Sequence, residues 1–276
     1  MFFFLSIHLE FTSFTHMNQV IKLYDLAPTA TSSRYYSPTA WKTRMGLLHK
    51  GVAFETVPIN FLDLHGELAN RAKDPNITIP AIELPDGTFI YDSFHIAEWL
   101  ESSYPNAPSL FTGDGQLSCS ARPELVTMGK NYARLIDLGL GASKPEWAVW
   151  YDLFFPQLDQ QIFGEEHRAY FTSDARLGPN GYQKMLALDR VELVRRAKMN
   201  VQPLIQILRE RPGQYFQGTH PGQVDYIIFG RYAYCRVLDP QLAKEIWNDQ
   251  GNELDQWIQR LSQAYGGHAQ KIFDSI

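Results

Sequence analysis

The chain is expected to fold as an α/β unit followed by an all-helical unit, and three features of the sequence support this. Strand and helix periods alternate from Val20 to about residue 104. No strand signal survives beyond about residue 112. Between the two regimes lies the stretch Pro105-Asn106-Ala107-Pro108-Ser109, which reads as a linker. At 276 residues the chain can bury the cores of one or two domains.

Ile21 to Leu26 opens the alternation as a short apolar strand. A loop of Ala, Pro, Thr and Ser then reaches Ser37-Pro38, ahead of a helix expected from about Thr39 to Lys50. Ser37 suits an N-cap, and Pro38 suits the first turn, where its missing N–H costs nothing. A ligand at such a helix start meets free backbone N–H groups and the positive end of the dipole, which favour an anion such as a thiolate. Gly51 closes the helix, and Phe54 to Ile59 forms a second strand, so the unit implies a parallel pair with a right-handed crossover.

A short helix is expected from about Leu62 to Lys73. Thr78 to Leu84, the turn Pro85-Asp86-Gly87 and Thr88 to Tyr91 read as an antiparallel hairpin. Pro80 at a strand start cannot donate to a ladder, and a cis bond is one solution. Asp92-Ser93 caps a helix from Phe94 to Tyr104. Beyond the linker, helices are expected over Leu117–Leu140, Glu146–Phe163, Tyr182–Arg209, Gln223–Leu238, Leu242–Trp247 and Glu253–Ala264. The expected division is an extension at 1–18, an α/β domain at 19–107 and a helical domain at 112–276.

Composition narrows the function. A net charge of −5 without a basic stripe argues against general nucleic-acid binding. No apolar run reaches the roughly 18 residues needed to span a bilayer. Cys119 and Cys235 are too few for a disulfide framework and fit a reducing, cytoplasmic compartment.

The order β-α-β-α-β-β-α resembles a thioredoxin-like fold. Ser37-Pro38, Ile79-Pro80 and Asp92-Ser93, followed by a helical half, resemble the motif order of the glutathione transferases. The similarity is closest to the fungal etherase-like (FuA) class and the bacterial β-etherases. It is carried by Tyr24-Asp25-Leu26-Ala27-Pro28, by Trp41-Lys42-Thr43-Arg44 and by His49-Lys50-Gly51, with Pro221-Gly222-Gln223-Val224-Asp225-Tyr226-Ile227 in the helical half. It runs from Val20 onward and is strongest over residues 20–110. Tyr36 departs from it, standing where a Trp would be expected before Ser-Pro.

What the resemblance implies is a thioredoxin-like domain followed by an all-helical glutathione-transferase domain, with glutathione as co-substrate and no metal. Ser37 would stabilise the glutathione thiolate. The main chain of Ile79, before a cis Pro80, would pair with the cysteinyl backbone. Asp92 would meet the γ-glutamyl ammonium, and Ser93 with its helix N-terminus the α-carboxylate. Lys42 and His65 both remain candidates for the glycyl carboxylate. Tyr24, Tyr35 and Tyr36 remain alternative hydroxyls, and Asp225 is read as a structural cap.

The second substrate is expected between the domains. Tyr35, Tyr36, Trp147, Trp150, Tyr151, Phe154 and Phe155 could pack the core or wall a cleft suited to flat aromatic ligands. Two readings follow: a transferase acting on hydrophobic aromatic electrophiles or aryl ethers, or a carrier of hydrophobic aromatic compounds. A homodimer is expected by resemblance.

Overall fold

The computed structural model describes residues 20–115, 122–140, 145–210 and 214–276. The expectations for residues 1–18 and for Cys119 lie outside them. Strand β1 (Ile21–Leu26) pairs in parallel with β2 (Phe54–Ile59), with Ile21 opposite Phe54 and Leu26 opposite Ile59. It pairs antiparallel with β3 (Ala81–Glu83), which pairs antiparallel with β4 (Phe89–Tyr91). The four-stranded order is β2-β1-β3-β4. The domain is thioredoxin-like, and the chain that follows is mostly helical.

Helix α1 (Pro38–His49) is the crossover between the parallel strands, and it ends at Lys50 with Gly51 at φ +66°. Non-glycine side chains rarely adopt that conformation, which is why the helix stops there. One sheet face puts Ile21, Leu23 and Ile82 into a core shared with α1, α4 (Ser93–Ser103) and the helical half. The opposite face puts Tyr24, Ile59 and Ala81 against Leu64, Leu68 and Ala69. Those residues belong to a segment made of α2 (Phe61–Asp63), a π-helical turn (Leu64–Leu68) and α3 (Ala69–Ala72), where one helix was expected.

The linker is fixed by polar groups at the end of α4. Glu101 accepts from Ser109 Oγ and from the Leu110 N–H at 3.0 Å, and it pairs with Lys50 Nζ at 2.9 Å. The helical half then runs through α5 (Pro123–Gly139), α6 (Pro145–Gln161), α7 (Glu165–Phe171), α8 (Asp174–Leu177), α9 (Gly181–Leu186), α10 (Arg190–Glu210), α11 (Gln223–Leu238), α12 (Pro240–Trp247) and α13 (Asn252–Asp274). Two expectations are corrected. The single helix over Tyr182–Arg209 is two, because Asp189 turns its carboxylate onto the Val191 and Glu192 N–H groups and starts a new helix. The last helix does not end at Ala264. It turns through left-handed Tyr265, Gly266 and Gly267 and continues to Asp274.

Helix α11 is the pillar that holds the domains together. A Cβ at Gly230 would lie 2.3 Å from the Pro38 carbonyl oxygen, so α11 crosses the start of α1 as closely as a backbone allows. Trp41 of α1 is fully buried there between Phe229 and Phe273, with ring centroids at 6.2 and 5.3 Å. Removing such a ring costs roughly 3–5 kcal/mol. Asp225 caps α11, accepting from the Gly222, Phe216 and Gln217 N–H groups and from Trp257 Nε1. Gly222 has no side chain to accept the Asp225 N–H, so only the Asp225 half of the usual reciprocal box is made, and three further donors saturate that carboxylate.

Candidate functional site

Ser37 sits at the junction between a loop and the first turn of α1 in extended conformation, and its Oγ accepts the Ala40 N–H at 3.2 Å. Thr39 lies on the same turn. Its Oγ1 donates to the Ile79 carbonyl at 3.1 Å and lies 3.0 Å from Ser37 Oγ. A hydroxyl has one proton, so with Thr39 committed to Ile79, Ser37 must donate to Thr39. The helix start thus forms a chain Ser37–Thr39–Ile79. The Thr39 N–H, in the first turn, has no intrahelical carbonyl to bond.

Ile79 is joined to Pro80 by a cis peptide bond. Ser37, Pro38, Thr39 and Ile79 line one cavity of about 320 Å³. Asp92 sits at φ 68° and caps α4 through Oδ1, which accepts from Phe94 N at 2.7 Å and His95 N at 3.1 Å. Ser93 is buried, and its Oγ accepts from Lys42 Nζ at 3.4 Å. Helices α1 and α4 are therefore linked through Lys42; of the predicted site residues, Ser37 and Ile79 line the cavity, and Pro80, Asp92 and Ser93 do not.

Several open alternatives separate on geometry. Tyr24 lies on the opposite sheet face and donates to Glu83 Oε2 at 2.6 Å; burial, with help from Glu83, pushes its phenol far up. Tyr35 lies under the Arg44 guanidinium, 4.5 Å from its ring centroid, and lines no part of the cavity. Tyr36 does line it, and burial pushes its phenol up strongly. Lys42 is buried in an ion pair with Asp137, beside Ser93 and away from solvent. His65 is exposed on the π-turn, edge-on to Phe61.

The cavity continues from Ser37 into the helical half, between Tyr36, Trp150, Tyr151, Phe155 and Phe171. Of the expected aromatic wall, Tyr36, Trp150, Tyr151 and Phe155 face it. Phe154 packs inside the core against Trp150 and Tyr234. The Trp147 side chain lies outside the described residues. Sequence reasoning missed Thr39, Phe171, Arg176 and Arg231. Phe171 and Arg176 sit on the short helices α7 and α8, which gave no readable period. Arg231 had one signal, a lone cation following the apolar run Ile227-Ile228-Phe229.

Behind the site a buried ion pair fixes α1 to the sheet. Arg44 donates to Asp25 Oδ2 at 2.9 Å and to Thr56 Oγ1 at 2.8 Å. Burial raises the Asp25 carboxyl to about 6, against the opposing pull of Arg44. At the far end of α1, His49 Nε2 donates to the Pro108 carbonyl at 3.2 Å and Nδ1 accepts from the Tyr226 hydroxyl at 2.7 Å. Burial and the Lys50 charge push His49 down to about 4, so the ring is neutral. No group of three or more His, Cys, Asp or Glu among the described residues is placed to hold a metal ion. No helix of the described residues is long and apolar enough to cross a membrane.

Residues 36–103 match the family described as glutathione S-transferase, N-terminal domain. The maleylacetoacetate isomerase of Pseudomonas aeruginosa is 30% identical over 83 residues, which are 29% of this chain and 39% of that protein. The mouse maleylacetoacetate isomerase is 33% identical over 87 residues, again 39% of its length. The chain therefore matches well under half the length of these curated relatives.

Whole-chain likeness comes from solved structures. A glutathione S-transferase of Ceriporiopsis subvermispora in complex with glutathione gives a TM-score of 0.67 at 19% identity, covering 92% of this chain and 97% of that one. Glutathione transferase GSTFuA3 of Phanerochaete chrysosporium gives 0.62 at 18% identity, covering 93% and 97%. The β-etherase LigF of a Sphingobium species gives 0.60 at 18% identity, covering 93% and 100%. At such identities the likeness shows the fold. Residues 36–103 thus match the N-terminal domain of the glutathione S-transferases, and the chain shares the two-domain fold of these solved structures.

Proposed function

We propose that the protein is a serine-type glutathione transferase that activates the glutathione thiol for attack on a hydrophobic aromatic electrophile or aryl ether. One observation carries this reading: the Ser37 hydroxyl, at the N-terminus of α1, opens onto an aromatic cavity within reach of the Ile79 backbone. Residues 19–107 would then bind glutathione, and residues 112–276 would close the cavity around the second substrate.

The chemistry needed is modest. A thiol with an ordinary pKa near 8.5 needs a drop of about 2 units, or roughly 2.7 kcal/mol, to be mostly thiolate at neutral pH. A helix N-terminus supplies about 0.3–1 kcal/mol and a hydrogen bond to a charged group about 1.5–3 kcal/mol. The Ser37 O–H, turned from Thr39 onto the sulfur, and the Thr39 N–H together reach that sum. Ser37 donates throughout and never becomes a nucleophile. The Ile79 main chain would pair with the cysteinyl backbone as an added strand, and cis Pro80 holds that edge open. Asp92 would face the ammonium with the oxygen its cap leaves over, while Ser93 and its helix N-terminus suit the α-carboxylate.

A second reading, a carrier of aromatic compounds, is favoured by the lining itself, which is mostly apolar and aromatic. Turnover separates the two. Glutathione consumption against a panel of aromatic electrophiles and aryl ethers supports the transferase. Tight binding of the same compounds with no consumption assigns the carrier.

Assembly and location follow the same reading. Met128, Leu135 and Leu138 project from α5 into solvent, and covering them would favour a homodimer. Cys235 is a free, buried thiol, which suits the reducing cytoplasm where glutathione is abundant.

A further inference from the structure

Resting on the reading of this cavity as the second-substrate site, we propose that its ligand is an aromatic carboxylate, held through its charge by the guanidinium of Arg231. The charged side chains lining the cavity are Arg176 and Arg231, and no carboxylate is among the described lining residues. A pocket of that kind suits a ligand that is flat and apolar at one end and anionic at the other.

Arg231 projects from α11, next to the crossing at Gly230, and its Nε is buried with no hydrogen-bond partner among the described residues. A guanidinium stays charged even when dehydrated, so a buried donor without a partner is costly. The acidic group whose field reaches it is Asp137, and that carboxylate is already shared. Lys42 is ion-paired to it and Arg134 Nη1 lies 3.8 Å from its other oxygen. Lys42 and Arg134 thus already share that carboxylate, while Arg231 lines the cavity with its Nε unsatisfied among the described residues. A carboxylate entering there would meet the fork geometry that guanidinium offers and relieve the excess charge.

Arg176 takes a different part. It is exposed at the mouth, 4.4 Å from the Phe171 ring centroid and 5.4 Å from that of Tyr170. Long-range attraction at the mouth and a paired site within would draw the same ligands inward. Between them Trp150 and Tyr151 line the cavity and offer contact to an aromatic body.

Calorimetric titration of trans-cinnamate and trans-cinnamamide, alike in shape and different in charge, tests this on the full chain with and without saturating glutathione. The wild type should bind the acid at least about tenfold more tightly than the amide. Arg231→Met should abolish the preference while leaving amide affinity unchanged, and Arg231→Lys should retain part of it. Equal affinities in the wild type, or a preference that persists in Arg231→Met, would overturn the proposal. Should Arg231→Met fail to fold, Arg231→Gln takes its place, with the thermal transition as the check. Wild type that binds glutathione but shows no acid preference defeats this inference alone. Wild type that binds no glutathione defeats the broader reading, whatever the acid does.

Discussion

The Thr39 hydroxyl donates to the carbonyl oxygen of Ile79 at 3.1 Å, which joins the first turn of α1 to the residue before the cis proline. This bond decides where protons sit at the site. With Thr39 spent on Ile79, the Ser37 proton points to Thr39 and must rotate away before it can serve a sulfur.

Replacing Thr39 with Val removes that competing acceptor while keeping the side-chain shape. The thiolate of bound glutathione should persist in Thr39→Val, as strong as in the wild type or stronger, when followed by ultraviolet absorbance. Loss of the thiolate signal would transfer the donor role from Ser37 to Thr39.

Asp92 has two separable duties, and two variants divide them. Asp92→Asn keeps an acceptor for the Phe94 and His95 N–H groups but loses the charge. It should weaken glutathione binding by about tenfold, as expected for a lost charge-assisted bond, with little change in thermal stability. Asp92→Ala should lose the cap as well, at about 1 kcal/mol. Unaltered glutathione affinity in both would remove Asp92 from the site.

At Gly230, α11 packs tightly against the start of α1. Gly230→Ala would drive a methyl group toward the Pro38 carbonyl, 2.3 Å from the ideal Cβ position. Overpacking of this kind costs roughly 1–3 kcal/mol. Because Pro38 follows Ser37, activity should fall more than a stability loss of that size explains. Chemical denaturation together with glutathione titration reads both effects. A variant as stable and as active as the wild type would contradict the close docking.

Acid sensitivity should come from the histidines. Burial pushes His49 and His268 down to about 4 from an ordinary 6.5. The unfolded chain therefore binds more protons between those values, and the stability they contribute is full above 6.5 and lost as pH falls toward 4. Asp25 and Asp225, raised by burial to about 6, act in the opposite sense, taking up protons in the folded state as pH drops below 6. His49→Gln should reduce the slope of stability against pH by about 1.4 kcal/mol per unit in the window from 6.5 to 4. Denaturant midpoints across that range measure it, and an unchanged slope would mean His49 is protonated in the folded protein.

Much of the N-terminal half was legible because its signals are local. Ser37-Pro38, Gly51, Pro85-Asp86-Gly87 and Asp92-Ser93 each act through their own backbone, and each stands where the sequence put it. The helical half was less legible because its breaks depend on tertiary context. Tyr265-Gly266-Gly267 reads as a stop, yet the chain resumes its helix because Phe273 finds Trp41 and Phe229 beyond the turn. The aromatic run Trp150 to Phe155 announced a wall but not its facing. Tyr151 and Phe155 turn to the cavity and Phe154 turns to the core, a difference set by the packing of α11. Thr39 was invisible as a site residue because its partner Ile79 lies 40 residues away in sequence, and Arg231 showed only as a lone cation after an apolar run.

The central claim is that the Ser37 hydroxyl stabilises the glutathione thiolate, and the direct test is a pH titration of thiolate absorbance for glutathione bound to wild type and to Ser37→Ala. The account predicts a thiolate in the wild type at neutral pH, a thiol pKa raised by one to two units (~1.4–2.7 kcal/mol) in Ser37→Ala, and glutathione affinity changed only a few-fold. A titration curve that does not move between the two proteins would contradict it.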